Sequence, residues 1–456
     1  MTSIPVVTQP LDDLSVNENA SNTTVNLFEH FDDPLTTGKV ARFVLENSSL
    51  GGGVTNVLMF DQDGAGAPAT VANFSNYVED NDYVNSIIHR SIPGFIVQGG
   101  GFTVSNDLQV AEVPADEAVV NEFSEDRSNT RGTIAMAKLG NDPNSATNQW
   151  FFNLGDNSAN LDNQNGGFTV FGEVLTESDL APVDAIASLP TISATEANPA
   201  FTNLPVIAED PNNPVVQSGD DLVRYNSITI SQQEELDFEI LDNSNPDLVD
   251  VFISRGELFI DYATDSNGTA EITIQATDLL GDSVEDTFSV DVADNGVEAE
   301  ASERGSTVYR FLNQDTGVHL YTASKNERDT ILETLPNYEF ESFAYVNVDV
   351  DSLTGDIQAQ QVYRFFNSDT GTHLYTTSEV EKESVEANLS NFSLETESFF
   401  AYGEEQPGTI PIYRFYNTDT GAHFYTPSEA EKDVVEDTLP NYTSEGIAYY
   451  AFPTEV

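Results

Sequence analysis

The amino-acid sequence predicts a mainly β protein built from three modules, and three observations support this prediction. Residues 236–293 alternate apolar and polar side chains with a period of two, which is typical of strands with one buried face. The C-terminal third contains three copies of one aromatic motif. The region between the N-terminus and these segments has short apolar runs such as "VARFVLEN" and "GTIAMA", separated by turn residues.

The alternating segment and the N-terminal segment predict one β-sandwich made from two separate pieces of chain. Alternation around Leu236, Leu258, Ile272 and Phe288 predicts four strands, which are few for a complete sandwich. The segment "IPVVTQPLDDLSVNENASNTTVNLFEHFDD" resembles the opening of bacterial cadherin-like domains, and "ELDFEILDNSNPDLVDV" resembles their continuation. We therefore expect a discontinuous cadherin-like or immunoglobulin-like sandwich. The alternative is a free N-terminal arm beside a small sandwich. The predicted pieces are residues 5–34 and 235–293.

The C-terminal copies predict a pseudo-threefold β-rich domain. They begin "VYRFLNQDTGVHLYTAS", "VYRFFNSDTGTHLYTTS" and "IYRFYNTDTGAHFYTPS". In each copy, Asp-Thr-Gly predicts a turn between two strands. An acidic helix follows, for which Ser428 is a predicted N-cap and Val434, Val435 and Leu439 are the predicted buried side. The domain spans residues 306–456, with units 306–350, 360–404 and 410–456.

The same repeats present recurring arginines and histidines, for which three interpretations stay open. Each arginine pairs with a turn aspartate, or each repeat binds a ligand such as a polysaccharide through its tyrosines, or the histidines converge on a zinc ion. The repeats resemble a bacterial repeat family of unknown function, so the resemblance does not identify a ligand. The residues concerned are Arg310, Arg364 and Arg414, Asp315, Asp369 and Asp419, and His319, His373 and His423.

The net charge of −61, from 16 Lys+Arg against 77 Asp+Glu, excludes nucleic acid and anionic membranes as partners. It favours either a saline or extracellular setting, in which salt screens self-repulsion, or structural calcium bound by clusters such as "DDLSVNEN" and "DLLGDSVED". A solvated acidic surface without a specific ligand stays open as a third interpretation. The chain has no cysteine, so disulfides, cysteine–zinc sites and thiol catalysis are excluded.

No apolar run is long enough to predict membrane insertion. The N-terminus "MTSIPVVTQPLDDLSVNENA" lacks the basic start and apolar core of a secretory signal. We expect an extracellular or cell-surface location reached without a recognisable signal peptide, and a cytoplasmic location stays open.

The inserted region, residues 38–230, contains the motifs that indicate a function. Within it, "PATVANFSNYV" predicts a helix with Val71, Phe74 and Val78 on one face and Thr70 as its cap. Three segments then occur in order: "IIHRSIPGFIVQGGGF", "RGTIAMAKLGNDPNSATNQWFFNL" and "LDNQNGGFTVFGEV". Together they resemble the cyclophilins, a family of peptidyl-prolyl cis-trans isomerases. The resemblance implies an eight-stranded antiparallel barrel capped by two helices, proline-containing polypeptides as substrates, and neither cofactor nor metal.

The resemblance also implies roles for individual residues. Arg90 matches the catalytic arginine, and Gln98 matches the residue that orients it. The matched substrate-binding positions are Phe95, Ile96, Ala137, Lys138, Gln149, Phe151, Leu161 and Phe168. The sequence departs from the common pattern at Lys138, where asparagine is frequent, and at Phe168, where many members have histidine. Asn160 replaces a tryptophan that some members carry, which argues against tight binding of cyclosporin.

These residues also suit the chemistry independently of the resemblance. Rotation about an X-Pro bond needs an apolar pocket for the ring and a donor aimed at the twisting amide, without nucleophile or metal. Arg90 stays charged and offers a rigid set of donors. We expect an isomerase that assists the folding of extracellular or surface proteins. The alternative is a non-catalytic adhesion or matrix protein that binds proline segments or carbohydrate, and His89 is expected to be structural.

Overall fold

The computed structural model describes residues 5–294, 304–350, 359–395 and 399–454, and its regular structure is mainly β. The chain divides into two compact units. The first contains the chain up to Gln9, Phe31–Phe238 and Gln275–Glu285; the second contains Pro10–His30, Glu239–Ile274 and Asp286–Val456. Among the described residues, no helix has the length and apolar character needed to cross a bilayer.

An eight-stranded antiparallel sheet forms the body of the first unit. The segment before one edge strand bonds to the chain at the start of the other edge strand, because Asn85 N–H donates to Tyr225 O (2.9 Å) and Ile88 N–H to Val223 O (3.0 Å). Phe43 and Trp150 are fully buried in the core that the sheet encloses. The strands, in spatial order, are Tyr225–Gln232, Lys39–Leu45, Val54–Met59, Val170–Val174, Thr133–Met136, Trp150–Asn153, Ile96–Gly99 and Arg90–Ile92.

The predicted helix is confirmed as Pro68–Glu79, and Val71, Phe74 and Val78 are buried on it. The prediction that Thr70 caps this helix is wrong. Pro68, whose backbone suits a first helical turn, starts the helix before Thr70. The carboxylate of Glu122 then accepts from the N–H groups of Ala69 (3.1 Å) and Thr70 (2.7 Å), so a distant residue does the capping.

The remaining elements of this unit are two helices and three two-stranded ribbons. Thr176 caps the longer helix by accepting from Asp179 N–H. The helices are Ser158–Leu161 and Glu177–Ala187. The ribbons are Val6–Val7 with Phe31–Asp32, Phe102–Val104 with Val110–Glu112, and Thr191–Ile192 with Leu204–Pro205.

Two further sheets contain the strands predicted from the period-two alternation. Both sheets include a strand from the N-terminal segment: Leu14–Asn17 runs parallel to Ser283–Ala293, and Thr23–Asn26 runs antiparallel to Glu257–Tyr262. Ile272, Ile274 and Val290 are fully buried, as their alternation predicts. In spatial order the sheets are Leu236–Asn243, Gly268–Asp278, Ser283–Ala293 and Leu14–Asn17, and Val249–Ser254, Glu257–Tyr262 and Thr23–Asn26.

Each C-terminal repeat contains a three-stranded sheet and one helix. Among all the described residues, 3₁₀ turns contribute only a small part of the regular structure. Of the predicted units, residues 396–398 and 455–456 lie outside the described residues. The strands of the three sheets are Arg304–Asn313, Val318–Thr322 and Tyr338–Val348; Tyr363–Asn367, Thr372–Thr376 and Phe392–Leu394; and Ile410–Asn417, His423–Thr426 and Tyr442–Ala451. The helices are Lys325–Thr334, Glu379–Asn388 and Glu429–Thr438, and Gln360–Gln361 pairs with Phe400–Ala401.

The predicted N-cap Ser428 is confirmed, because its hydroxyl accepts from Glu431 N–H (3.2 Å). The predicted buried side of this helix is only partly right. Val435 is buried, but Val434 is 58% exposed and Leu439 is 40% exposed. Adjacent helical residues point about 100° apart, so Val434 and Val435 do not share the narrow buried stripe.

Three tyrosines, one from each repeat, join the repeats in a ring of hydrogen bonds. Each hydroxyl donates to the backbone carbonyl of another of the three: Tyr321 to Tyr425 (2.6 Å), Tyr375 to Tyr321 (2.8 Å) and Tyr425 to Tyr375 (2.8 Å). Each hydroxyl also accepts the N–H of a tyrosine in this ring. All three side chains are buried, so each repeat satisfies polar backbone groups of its neighbours.

The predicted pairing of each repeat arginine with a turn aspartate is wrong. Instead, each arginine reaches a helix glutamate of a neighbouring repeat, which closes a second ring around the domain. The turns do not need the arginines, because Asn313, Asn367 and Asn417 accept the N–H groups of the following aspartates. The arginine contacts are Arg310–Glu431 (3.0 Å), Arg364–Glu327 (2.8 Å) and Arg414–Glu381 (2.9 Å).

Each of the three repeat histidines contacts a glutamate of its own repeat. The distances are 3.0 Å for His319–Glu341, 3.3 Å for His373–Glu395 and 3.5 Å for His423–Glu445. Within the part of the chain that the structure describes, no group of three or more histidine or acidic side chains is arranged to hold a metal ion.

The tyrosine ring predicts that a single hydroxyl matters for stability. Replacement Tyr375→Phe leaves the N–H and carbonyl of Tyr321 buried without a partner and should lower the free energy of unfolding by about 1–3 kcal/mol. Hydrogen-exchange mass spectrometry in a urea series, followed on peptides from 304–350, measures this change. Tyr363→Phe, which removes an exposed hydroxyl bonded to Glu379, is the matched control. Equal stability of the two variants would contradict the role of the ring.

A second prediction concerns pH. Burial, with the charges of Asp32, Asp33 and Asp61, raises the pKa of Glu235 to about 7. The folded state therefore holds this proton more tightly than the unfolded chain, and the stability that the proton supplies is lost as pH rises through about 7.

Glu235→Gln should consequently stabilise the protein at pH 8 by on the order of 1 kcal/mol, allowing for the partial exposure of the carboxyl group, and should change little at pH 4. Thermal unfolding at both pH values measures this difference. Glu234→Gln, at an exposed neighbour, is the control. A stabilisation that does not depend on pH would contradict the assignment.

Candidate active site

Arg90 lies on the edge strand of the eight-stranded sheet, and a chain of hydrogen bonds connects it to two glutamines. Arg90 Nη1 donates to Gln98 Oε1 (3.3 Å), and Gln98 Nε2 donates to Gln149 Oε1 (3.0 Å). Arg90 pairs in register with Gln98 on the next strand. The structure therefore brings together the two residues predicted as catalytic and one residue predicted to bind substrate.

An apolar surface lies beside this chain on the same sheet. The rings of Phe151 and Phe168 meet edge to face with centroids 5.8 Å apart. Phe168 is held in place by its N–H, which donates to Leu161 O (3.1 Å). Ile96 and Phe151 are buried, so the cluster is already packed before any ligand arrives. All six apolar residues predicted for the groove belong to this cluster or pack against it: Phe95, Ile96, Ala137, Phe151, Leu161 and Phe168.

The run of three glycines explains how the polar chain and the apolar surface come so close. Gly100 has a φ of +81°, and a Cβ there would lie 2.4 Å from Asn148 O. A Cβ on Gly101 would lie 2.7 Å from the side chain of Gln149. The glycines therefore let the backbone lie directly against Trp150 and leave room for Gln149 to reach Gln98.

Buried asparagines fix the backbone of two half-buried aromatic residues, Phe95 and Phe168, and the sequence analysis missed these asparagines. Asn157 Nδ2 donates to Phe95 O (2.8 Å), and Asn129 Nδ2 donates to Phe168 O (2.9 Å). Asn153 connects the pair, because it donates to Asn129 Oδ1 (3.2 Å) and accepts from Asn157 Nδ2 (2.7 Å). These asparagines lie in or beside the quoted motifs, but an asparagine alone does not reveal which distant carbonyl it will contact.

Lys138 occupies one rim of the groove. Its Nζ donates to Asn165 O (2.9 Å), to Gly167 O and to Asn121 Oδ1 (3.3 Å), and it lies 4.9 Å from the centroid of the Phe168 ring. Burial lowers the pKa of Lys138. The two departures from the common pattern, lysine and phenylalanine, thus pack against each other, and Lys138 holds the loop that carries Phe168.

The backbone beside Lys138 is partly used within the protein. The N–H of Ala137 donates to Gln149 O at 2.8 Å, so it is used within the sheet. A substrate strand at this edge would therefore have to use other backbone groups. The sequence could not show this, because it does not reveal where sheet pairing ends.

Two residues behind Arg90 complete the site. His89 is 1% exposed, and its ring lies 5.0 Å from that of Phe102. Burial and the charge of Arg90 lower the pKa of His89 to about 4, so it is neutral at physiological pH. Asn203 O accepts from Ser91 N–H (2.8 Å) and braces the edge strand from a loop far along the chain, which the sequence analysis did not foresee.

Comparison with known proteins identifies two parts of the chain. The family model described as cyclophilin type peptidyl-prolyl cis-trans isomerase matches residues 52–207. A domain of unknown function, DUF5648, matches residues 287–355 and 307–452. A solved Cryptosporidium parvum cyclophilin-type isomerase aligns with 43% of this chain and 99% of its own, at 19% identity and a TM-score of 0.27.

Three curated isomerases each match between 27% and 30% of this chain. A peptidyl-prolyl cis-trans isomerase of Acinetobacter baylyi is 43% identical over 126 residues, which are 27% of this chain and 63% of the relative. Isomerase B of Escherichia coli is 40% identical, over 27% of this chain and 74% of the relative. One from Streptomyces antibioticus is 40% identical, over 30% of this chain and 81% of the relative. The chain spans less than two thirds of the A. baylyi relative, yet these matches show that it belongs to the cyclophilin-type peptidyl-prolyl cis-trans isomerase family.

Proposed function

We propose that this protein catalyses cis–trans isomerisation of X-Pro peptide bonds, at the groove formed by Arg90 and the apolar cluster around Phe151. The observation that supports the proposal is the placement of a charged, half-buried donor directly beside a packed apolar surface. Curated relatives of this family carry the name of that activity. The substrates would be proline-containing polypeptides.

The uncatalysed reaction is slow because amide resonance gives the C–N bond partial double-bond character, with a barrier of about 18–20 kcal/mol. Twisting the bond localises the lone pair on the prolyl nitrogen, which then becomes a better hydrogen-bond acceptor. A donor at that position therefore stabilises the twisted state more than the planar one, and only such differential binding accelerates the reaction.

The groove suits both halves of this requirement. The ring of the proline would pack on Phe151, Leu161 and Phe168, which holds one side of the bond still. Arg90 would donate to the prolyl nitrogen as the bond twists. Gln98 accepts one Arg90 hydrogen and is itself held by Gln149, so the guanidinium is oriented before the substrate binds.

The surroundings of Arg90 strengthen this donor. Burial lowers the pKa of Arg90, and no carboxylate in the described part of the chain forms an ion pair with it. The guanidinium remains charged, because arginine side chains do not lose their proton at physiological pH. A partly desolvated and unpaired donor interacts more strongly with a substrate than one that water or a carboxylate already occupies.

Arg90→Ala tests the proposal. Removing a donor that acts mainly in the twisted state should lower kcat/KM by about 100- to 1,000-fold on an Ala-Pro-Phe-type peptide in a protease-coupled assay. Arg42→Ala removes an exposed arginine from another strand of the same sheet and should leave the rate unchanged.

Wild-type activity in the Arg90→Ala variant would overturn the assignment of Arg90. No activity in the wild type, with retained binding of the peptide, would favour a scaffold that binds proline segments without turnover.

We further propose that this activity serves proteins at the cell surface or outside the cell. The net charge of −61 supports this part of the proposal, because salt screens the self-repulsion of such a surface. Immunoblotting of culture medium, surface and cytoplasmic fractions measures the distribution, and confinement to the cytoplasm would contradict it. The cadherin-like assignment, calcium binding and a polysaccharide ligand of the repeats stay predictions.

A further inference from the structure

The groove contains two cations that are bonded to neutral groups instead of carboxylates. Arg90 bonds to Gln98, and Lys138 bonds to the carbonyls of Asn165 and Gly167 and to the amide of Asn121. Burial alone lowers the pKa of both cations. Among the described residues neither cation forms an ion pair, although the chain has 77 acidic residues against 16 basic ones.

Three other cations of the same unit pair with carboxylates, whereas Arg42 and Arg127 also bond to neutral oxygens. Arg131 pairs with Asp184 at 2.6 Å, and Arg224 pairs with Glu46 at 2.7 Å. The hydrogen bond to Asp184, together with the charge of Asp184, raises the pKa of Arg131, in contrast to the lowered pKa values of Arg90 and Lys138. The groove is therefore a local region of uncompensated positive charge on an acidic protein.

The two cations lie on opposite sides of the apolar surface. On one side, Arg90 pairs in register with Gln98, which pairs with Phe151. On the other side, Lys138 lies 4.9 Å from the ring of Phe168, which in turn lies 5.8 Å from Phe151. A proline packed on Phe151 would thus have a cation in either direction, close to the residues that precede and follow it.

We propose that this groove selects proline segments with a carboxylate next to the proline, and that Lys138 determines the preference. This inference rests on the proposed function in one respect: it takes a proline segment as the ligand of the groove. All three hydrogens of the Lys138 ammonium are already donated within the protein. Lys138 therefore acts on a substrate carboxylate through its charge, and the loop contacts keep that charge in place.

The acidic surface does not cancel this effect. In physiological salt, charges separated by more than about 8 Å of solvent are largely screened from each other, whereas partly buried charges are screened much less. Attraction between a groove cation and an adjacent substrate carboxylate therefore acts at short range, while repulsion from the distant surface is weakened.

The test uses proline peptides that carry glutamate, alanine or lysine immediately before or immediately after the proline. Fluorescence anisotropy measures their binding, and exchange NMR measures their isomerisation without a coupling protease. The variants are Lys138→Gln, which keeps two hydrogen-bond donors without the charge, and Lys138→Arg, which keeps the charge. Arg42→Gln removes one exposed positive charge four strands away from the strand of Phe151 and is the matched control.

At low salt, the glutamate peptides should bind about fivefold more tightly than the lysine peptides at one or both positions. The ratio should approach one at an ionic strength of about 1 M, where the screening length is about 3 Å. Lys138→Gln should lose the preference at one position, whereas Lys138→Arg and Arg42→Gln should keep it. Thermal unfolding and binding of the alanine peptide show whether each variant keeps a folded groove. A variant that passes both checks has lost only the charge.

Equal affinity for glutamate and lysine peptides, or a preference that survives in Lys138→Gln, would overturn the inference. The two proposals fail separately. Turnover of all peptides without a charge preference leaves the isomerase intact and removes this inference. A glutamate preference in binding without any turnover removes the isomerase and leaves this inference standing. If Lys138→Gln does not fold, Lys138→Arg serves as the test. Loss of the preference for glutamate peptides in Lys138→Arg, which keeps the charge, would then overturn the inference.

Discussion

The close approach of the glycine run to Trp150 and Gln149 is the constraint on which the candidate active site depends. Any Cβ at Gly100 would lie 2.4 Å from a backbone oxygen, so the strand Ile96–Gly99 can lie against Trp150–Asn153 only if the chain leaves it through glycine. That contact puts Gln98 beside Gln149, and Gln98 in turn holds Arg90. The orientation of the donor is thus a consequence of backbone packing in the core, several residues away from the groove.

The repeats follow a comparable rule, in which no unit is complete by itself. Each central tyrosine satisfies backbone groups of another repeat, and each arginine reaches a glutamate on the helix of a neighbour. A buried N–H or carbonyl without a partner is costly, so removing one repeat would leave unsatisfied groups on both sides of the gap. Closure of the ring therefore follows from hydrogen bonding. The motif recurs in the sequence because each repeat must supply the same hydrogen-bonding groups to its neighbour.

Features set by local spacing could be predicted from the sequence, whereas features set by distant partners could not. The helix Pro68–Glu79 follows from the spacing of Val71, Phe74 and Val78, and three ordered motifs identified the family. The cap of that helix comes from Glu122, and the partner of Arg364 is Glu327 of another repeat. Thr70 and the turn aspartates were plausible only because they are near in sequence. Closeness in sequence does not show which distant residue will become a partner once the chain has folded.

The charge of the groove and the charge of the surface obey different physical constraints. Surface carboxylates are solvated, and salt screens their repulsion, so a charge of −61 can accumulate without opposing partners. A half-buried cation is instead stabilised by the dipoles that face it, which for Lys138 are backbone carbonyls. Carbonyls satisfy hydrogen bonds without neutralising the charge, so the field of the cation remains available to a ligand. A chain can therefore become strongly acidic outside while its groove stays cationic, provided that the groove is lined by neutral acceptors.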